Sequence, residues 1–448
     1  MDEQYSLFAN MVHRFKTIAV QHISHFRNNA LVKEAPNQPV KFQIHSPLKS
    51  KIIPIGFMDQ DESTIKGVIR ILNDLERATP VFDGRKTPIL VAGDELTCMR
   101  VESAKSLRSH CVGTTNFNNI YITHGDWHRR LALMRNFVNT FTFQLGSRHS
   151  IGSFANIREV MGFKSASEDV NSTFNAVYDL AEVTMHGLAT LLLVEIMGIE
   201  SMSDIPAECP KLEDEHGCSL YLHKICVKAA WTLNFDNNTG SDICENCQNA
   251  EMDLVACRNY LCGKKFHFEC HPESVKENTN GLKGPNCSLQ CSDRIYNYSR
   301  ALLHACMSQV DRHDTIRVND AELMRLQMKQ DSVNFFNNRN HHYVRLMVNY
   351  LLTVDGYAPP QVSFDAKWNR CVNSAGESMR NIEQDLFCEH MVKDTKKQIN
   401  VMQGATKTKA LQRRTKIHDC RLQTMFDTGA PSYTRGVDKK NLLKTTED

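Results

Sequence analysis

Eight potential zinc ligands lie close together between Cys244 and Cys291. They are Cys244, Cys247, Cys257, Cys262, His267, Cys270, Cys287 and Cys291. Seven of the 16 cysteines of the chain therefore fall within this single stretch. Zinc binds four nitrogen or sulfur ligands in a tetrahedron, and short gaps between cysteines let one tight turn present both thiolates of a pair to one metal. The run predicts two structural Zn²⁺ ions.

Two short apolar runs each end in Gly-Asp, which predicts two buried strands that deliver Asp94 and Asp126. Farther along the chain, the helical pattern over residues 381–401 carries Asp385 and Glu389, which share one helix face because they are four residues apart. Three carboxylates are the ligands of a two-metal Mg²⁺ site for phosphoryl transfer. Either aspartate also suits a simpler role as the cap of the following helix.

His128 lies two residues after Asp126, so both side chains would face the same way if the strand continued. In that position, the imidazole would bind a metal or position a water molecule. A hydrogen-bonded histidine at a strand–helix junction is the simpler interpretation.

The elements that must position these groups are mostly helical. We predict an amphipathic helix over residues 1–26 and a polar connection over residues 202–240. Further helices are predicted over residues 65–78, 129–143, 165–197, 295–310, 320–328, 340–353 and 381–401. The 448 residues exceed one typical core, so several units are expected.

The net charge of +2 gives no overall field that would attract nucleic acid, so DNA binding would need a local patch. From Lys393 to Asp448, 13 Lys and Arg residues stand against 6 Asp and Glu residues. Within this segment, phosphates or a nuclear import receptor could be contacted by Lys407, Lys409, Arg413, Arg414 and Lys416, whereas a solvated terminal tail is the simpler interpretation. The longest apolar run, Leu188 to Ile199, is too short to span a bilayer, so we expect no membrane partner. The N-terminus carries no secretion signal, which favours metal over disulfides for the clustered cysteines.

The order of four cysteines, one histidine and three cysteines, with these gaps, resembles that of a PHD finger. The resemblance implies a cross-braced finger in which Cys244, Cys247, His267 and Cys270 hold one zinc. Cys257, Cys262, Cys287 and Cys291 would hold the other. Such a finger would bind a histone tail or another protein segment, or would only stabilise an insertion; ubiquitin transfer is a third, weaker interpretation.

Five segments resemble a large eukaryotic family that is known only as a domain of unknown function and looks transposase-derived. They are Pro88–Thr97, Asp126–His128, Asn340–Tyr343, Lys367–Asn373 and Asn381–His390. The resemblance implies an α/β fold with an RNase-H-like mixed core, many added helices, and the small two-zinc finger as an interruption. It also implies that Asp94 and Asp126 are metal ligands and catalytic acids, with Glu389 as the third acid and Asp385 or His128 as alternates.

We therefore predict an N-terminal helix and connection over residues 1–60, and a transposase-like core over 61–240 and 294–403. The finger would occupy 241–293, and a basic tail 404–448. The predicted function is that of a nuclear, zinc-binding, transposase-derived protein that binds a histone tail, another protein segment or DNA. Whether the chain is an enzyme is left open, since the alternative is an active two-metal DNA transposase or nuclease that uses Mg²⁺.

Overall fold

The structure is a computed structural model. It describes residues 2–27, 47–52, 58, 60–83, 85–111, 116–141, 151–211, 214–234, 254–256, 265–267 and 294–401. The chain divides into two compact units. The first unit comprises Met1–Pro39 and Phe137–Val310, and the second comprises Val40–Asn136 and Asp311–Asp448. The predicted core range 61–240 is therefore shared between both units.

Helices account for most of the described residues. They are α1 (Asp2–His22), α2 (Ser24–Arg27), α3 (Ile65–Ala78), α4 (Glu95–Leu107), α5 (Asp126–Phe141), α6 (Phe154–Val160), α7 (Val170–Met197), α8 (Glu215–Asn234), α9 (Arg294–Val318), α10 (Ala321–Asn337), α11 (His341–Leu352), α12 (Pro360–Trp368) and α13 (Gln384–Val401). A π-helical turn, Thr353–Tyr357, joins α11 to α12.

The strands of the described residues are short and form four separate pairs. They are β1 (Val81–Phe82), β2 (Arg85–Lys86), β3 (Ile89–Gly93), β4 (Ile120–His124), β5 (Leu254–Ala256), β6 (Lys265–His267), β7 (Cys371–Val372) and β8 (Ile382–Glu383). Among the strands that the structure describes, only β3 and β4 pair in parallel; the pairs β1–β2, β5–β6 and β7–β8 are antiparallel. The predicted α/β class is thus supported only weakly, by one parallel pair in a mostly helical fold.

In the first unit, α1 packs against α7 and α8, which also pack against each other. Helix α8 lies where the sequence predicted a polar connection over residues 202–240, so that prediction is wrong over Glu215–Asn234. One side of α8 is buried and consists of small or sulfur-containing residues together with two leucines. These residues are Cys218, Leu222, Cys226, Ala229, Ala230 and Leu233. Their helical spacing was concealed by polar residues on the opposite face.

Helix α7 is, among the described residues, the one helix long and apolar enough by length and composition to cross a membrane. This helix begins at Val170, well before Leu188, the first residue of the apolar run identified in the sequence. Twelve of its residues are buried within the protein, from Val170 to Met197. A buried core helix passes the same test of length and hydropathy, so this finding is weak support for a membrane span.

In the second unit, the parallel pair β3–β4 runs in register from Ile89 opposite Ile120 to Gly93 opposite His124. Helix α4 forms part of the crossover that a parallel pair requires. Alternate strand residues face different clusters: Leu90 packs against one that includes Leu133 and Met347. Ile89 and Val91 pack against another, formed by α3, α4 and nearby residues. Apolar packing on both faces leaves the strand ends as the place where polar groups can gather.

Candidate functional site

The carboxyl ends of β3 and β4 bring the two Gly-Asp sequences to one edge. The Gly125 amide donates a hydrogen bond to the Gly93 carbonyl at 2.8 Å, so the residues that follow each strand are neighbours. Asp94 caps helix α4, because its Oδ1 accepts a hydrogen bond from the Thr97 amide at 2.7 Å. The simpler role foreseen for an aspartate after a strand is therefore present at Asp94.

Asp126, at the start of α5, is buried between two arginines. Arg129 Nε donates to Asp126 Oδ1 at 3.1 Å, and Arg370 Nε donates to Oδ2 at 2.6 Å. Burial alone would raise the pKa of Asp126, but the positive charges of Arg370 and Arg129 outweigh it and hold that pKa well below its ordinary value. Asp126 is therefore an ionised carboxylate, and each of its oxygens accepts a hydrogen bond from a guanidinium.

The arginines around Asp126 belong to a larger buried network. Arg129 also pairs with Asp331, and Asp331 pairs in turn with Arg312. Arg370 contributes further contacts: its Nη2 donates to the His124 carbonyl at 2.7 Å, and its guanidinium lies 4.8 Å from the centre of the Tyr350 ring. Buried charges are costly unless they are paired, so these arginines and aspartates must stay together in the folded protein. The network therefore holds helices α5, α9 and α10 against the ends of β3 and β4.

Asp385, in the first turn of α13, reaches the same edge from a distant part of the sequence. Its carboxylate accepts hydrogen bonds from the Trp127 amide at 3.0 Å and the His128 amide at 3.1 Å. A carboxylate at a helix N-terminus satisfies free amide groups and interacts favourably with the helix dipole. Gly125 permits this approach, since a Cβ at Gly125 would overlap the Asp385 carboxylate and lie 2.7 Å from its Cβ atom.

His128 connects Asp385 to Glu389. His128 Nδ1 lies 2.9 Å from Asp385 Oδ2, and Nε2 lies 3.9 Å from Glu389 Oε1. The hydrogen bond with Asp385 raises the pKa of His128, burial opposes this, and the charges of Asp385, Asp94 and Glu389 raise it further. The Glu389 side chain is 60% exposed, so this side of the site is open to solvent.

We call Asp94, His128, Asp385 and Glu389 the strand-end cluster. Carboxylates and imidazole are groups that divalent cations bind. Within the described parts of the chain, however, no three of these ligand atoms lie within 4.8 Å of one another. The cluster therefore holds three acids and a histidine at one edge without forming a compact metal site.

The family comparison covers nearly the whole chain: residues 2–420 match DUF6589, described as a family of unknown function. The chain belongs to the DUF6589 family. The predicted resemblance to a family of unknown function is thereby confirmed. No curated protein and no solved structure matches this DUF6589 chain.

For this DUF6589 protein, the zinc-ligand prediction remains a prediction. Seven of the eight ligands lie outside the described residues: Cys244, Cys247, Cys257, Cys262, Cys270, Cys287 and Cys291. The backbone of His267 ends strand β6, which pairs with β5. The described residues thus place one antiparallel strand pair in the predicted finger range.

Sequence reasoning missed two groups at the strand ends of this DUF6589 chain, one beside Asp126 and one beside the strand-end cluster. Arg370 Nε donates a hydrogen bond to Asp126 Oδ2 at 2.6 Å, and the Tyr343 hydroxyl donates one to the His128 carbonyl at 3.2 Å. Both residues lie in segments that carried the family resemblance, Lys367–Asn373 and Asn340–Tyr343. Their place in those segments was the only sequence signal for either residue, because neither residue is near Asp126 in sequence.

Proposed function

We propose that this DUF6589 protein is a zinc-binding, transposase-derived nuclear protein that acts by binding, with an RNase-H-like core that does not cleave DNA. The observation that carries the proposal is the burial of Asp126 between Arg129 and Arg370. Asp126 occupies the second acid position that the family resemblance implied, and in a catalytic core that acid would have to hold a metal.

A two-metal site needs carboxylate oxygens that face the cations. The Asp126 side chain is 1% exposed, and each of its oxygens already accepts a hydrogen bond from an arginine. Turning it toward a metal would leave Arg129 and Arg370 as buried cations with one fewer anion. Breaking a buried pair in this way costs about 3–5 kcal/mol, so we infer that Asp126 serves folding.

A nicking assay tests this part of the proposal. The full chain is incubated with supercoiled plasmid in Mg²⁺ or Mn²⁺, beside the variant Asp94→Ala. We expect no nicking by the wild type above the level of Asp94→Ala. The matched control is Asp74→Asn, a partly exposed acid paired with Arg77. Metal-dependent nicking that is lost in Asp94→Ala and in Glu389→Gln, and retained in Asp74→Asn, would overturn it.

The convergence at the strand ends favours one alternative, an active two-metal DNA transposase or nuclease that uses Asp94, Asp126 and Glu389. Helix α13 brings Glu389 to within 3.9 Å of His128, beside the residues that follow β3 and β4. In this alternative, Mg²⁺ would have to displace the arginines from Asp126. The same assay decides between the two functions, because only the alternative predicts metal-dependent strand cleavage.

The binding function is proposed for the PHD-type finger at residues 241–293, with histone tails or other protein segments as ligands. Its support is the spacing of the eight ligands. The basic segment 404–448 is proposed to add contacts to DNA phosphates. Each phosphate contact releases counterions, so DNA affinity should fall steeply with salt. A DNA affinity that does not change with salt would remove this part of the proposal.

Fluorescence anisotropy with histone-tail peptides tests the finger in the full chain. We expect binding by the wild type, weakened binding by Cys257→Ser, and loss of about one zinc per chain in that variant. The control is Cys111→Ser, a partly buried cysteine outside the run. Unchanged zinc content in Cys257→Ser would contradict the ligand assignment. Loss of zinc without any peptide binding by the wild type would leave the finger with a structural role only.

A further inference from the structure

Three metal-binding side chains meet in the first unit, apart from both the finger and the strand-end cluster. They are His25 of α2, Cys209 in the connection after α7, and Cys218 of α8. One ligand atom from each lies within 4.8 Å of the other two, and His25 Nε2 lies 3.3 Å from Cys209 Sγ. Among the described residues, this is the one group of three such atoms at this spacing.

The spacing fits a zinc ion. A tetrahedral zinc with Zn–S bonds of about 2.3 Å and Zn–N bonds of about 2.0–2.1 Å places a sulfur and a nitrogen roughly 3.6 Å apart, and two sulfurs roughly 3.8 Å apart. The distance between His25 and Cys209 is already within a few tenths of an ångström of that value. Small side-chain rotations would therefore place all three atoms on one metal.

The backbone that carries these side chains is well fixed by hydrogen bonds. The Ser24 amide donates to the Met202 carbonyl at 3.0 Å, which joins the start of α2 to the connection that holds Cys209. The Cys209 amide donates to the Pro206 carbonyl at 3.0 Å, and the Cys218 amide donates to the Asp214 carbonyl at 2.9 Å. The three ligands are thus presented by segments that are held in place independently of any metal.

We infer that His25, Cys209 and Cys218 bind one Zn²⁺, with a water molecule as the fourth ligand. Two thiolates and an imidazole favour zinc over hard cations such as Mg²⁺ or Ca²⁺, which prefer oxygen. His25 and Cys218 are buried, whereas Cys209 is only partly buried, so solvent can reach the fourth position beside Cys209. The Cys218 thiol donates to the carbonyls of Pro210 and Lys211, and binding of zinc would release the thiol protons to solvent.

The simpler interpretation is a pair of buried thiols that only fill space and donate weak hydrogen bonds. It predicts that exchanging Cys218 for serine changes packing but not metal content. The zinc interpretation predicts a loss of one metal ion, and this difference can be measured. The finger retains all its ligands in these variants, so the two zinc assignments are tested separately.

The experiment measures zinc per chain in the full-length protein purified under reducing conditions. Cys218→Ser and His25→Ala should each contain one zinc fewer than the wild type. Cys226→Ser, which alters a buried cysteine of the same helix α8, should contain as much as the wild type. Folding of each variant is checked by far-ultraviolet circular dichroism. If Cys218→Ser does not fold, His25→Ala at the short helix α2 still provides the test.

Cobalt titration of the metal-stripped chain provides a second measurement. Subtracting the spectrum of His25→Ala from that of the wild type should leave a thiolate-to-cobalt charge-transfer band from this site. The inference is overturned if folded Cys218→Ser and His25→Ala both retain the zinc content of the wild type. It is also overturned if mass mapping shows that Cys209 and Cys218 form a disulfide in the zinc-loaded protein.

Discussion

Replacing Asp126 with asparagine removes the one negative charge that Arg129 and Arg370 share, while the shape of the side chain is kept. The buried network contains three guanidinium groups, from Arg129, Arg312 and Arg370, and two carboxylates, from Asp126 and Asp331. After the change, three buried cations face a single carboxylate. The protein has no short route to solvent for these charges, because all five side chains are buried.

Removing one partner of a buried ion pair costs about 3–5 kcal/mol. Arg370 keeps the His124 carbonyl and the face of Tyr350, and a desolvated cation–π contact contributes about 2 kcal/mol. Arg129 keeps Asp331. We therefore expect the lower end of the range, about 3 kcal/mol. For a unit of roughly 150–250 residues, 1 kcal/mol shifts Tm by about 2–4 °C, so Tm should fall by about 6–12 °C.

Urea and thermal unfolding of the full chain, followed by the fluorescence of Trp127 and Trp368 in the second unit, measure this change. The matched control is Asp94→Asn, which makes the same substitution at a helix cap. Asparagine caps a helix about as well as aspartate, so the control should lose only a few tenths of a kcal/mol. If Asp126→Asn is as stable as the wild type, or more stable, and a metal-dependent activity disappears, then Asp126 is a metal ligand and the structural assignment is refuted.

Two further predictions concern the contact between α13 and the strand ends. Gly125→Ala should lower the free energy of unfolding by about 1–3 kcal/mol, because the new Cβ would displace the Asp385 carboxylate. The control Gly187→Ala in helix α7 meets no neighbour and should raise the free energy of unfolding by about 0.5–1 kcal/mol. Urea unfolding measures both variants, and equal effects would contradict the close approach of Asp385 to Gly125. The pKa of His128 is raised in the folded protein, so its stabilising contribution is fully present below about pH 6.5 and is lost as the pH rises through the folded pKa. The stability difference between wild type and His128→Gln should therefore shrink above about pH 6.5, and a difference that stays constant with pH would show that the contact with Asp385 does not set this pKa.

The sequence predicts the local elements of the second unit well. Helix α3 runs from Ile65 to Ala78 as its apolar spacing predicted, and β3 and β4 end at the predicted Gly-Asp sequences. These features depend on neighbouring residues: periodicity, a capping threonine and a glycine. Arg129 lies within reach of Asp126 for an equally local reason, since residues three apart on a helix are neighbours, but the sequence analysis did not predict this pair.

The partners of the site depend on contacts that are remote in sequence. Arg370 meets Asp126 across 244 residues, and Asp385 meets Trp127 across 258. No periodicity carries that information. The group of His25, Cys209 and Cys218 was missed for the same reason, because Cys209 and His25 are 184 residues apart and each cysteine alone resembles an ordinary buried residue. The sequence pattern identified acids that lie at the strand ends, but it did not identify the arginines that neutralise Asp126.

The charge of a buried carboxylate at the end of a strand must be neutralised, and either a metal ion or an arginine can neutralise it. In a two-metal site the neutralising charge is Mg²⁺, so the protein gains stability when the metal binds, by RT ln(1 + [L]/Kd). Here Arg129 and Arg370 already supply that charge to Asp126. We therefore expect millimolar Mg²⁺ to leave the unfolding midpoint of the second unit unchanged in the wild type. In Arg370→Leu, one of the two cations beside Asp126 is missing, so Mg²⁺ should raise the midpoint. A contrary result would be that Mg²⁺ stabilises the wild type and that Asp126→Asn abolishes this stabilisation. It would mean that Mg²⁺ displaces the arginines from Asp126, and it would refute the proposal of a binding function without cleavage.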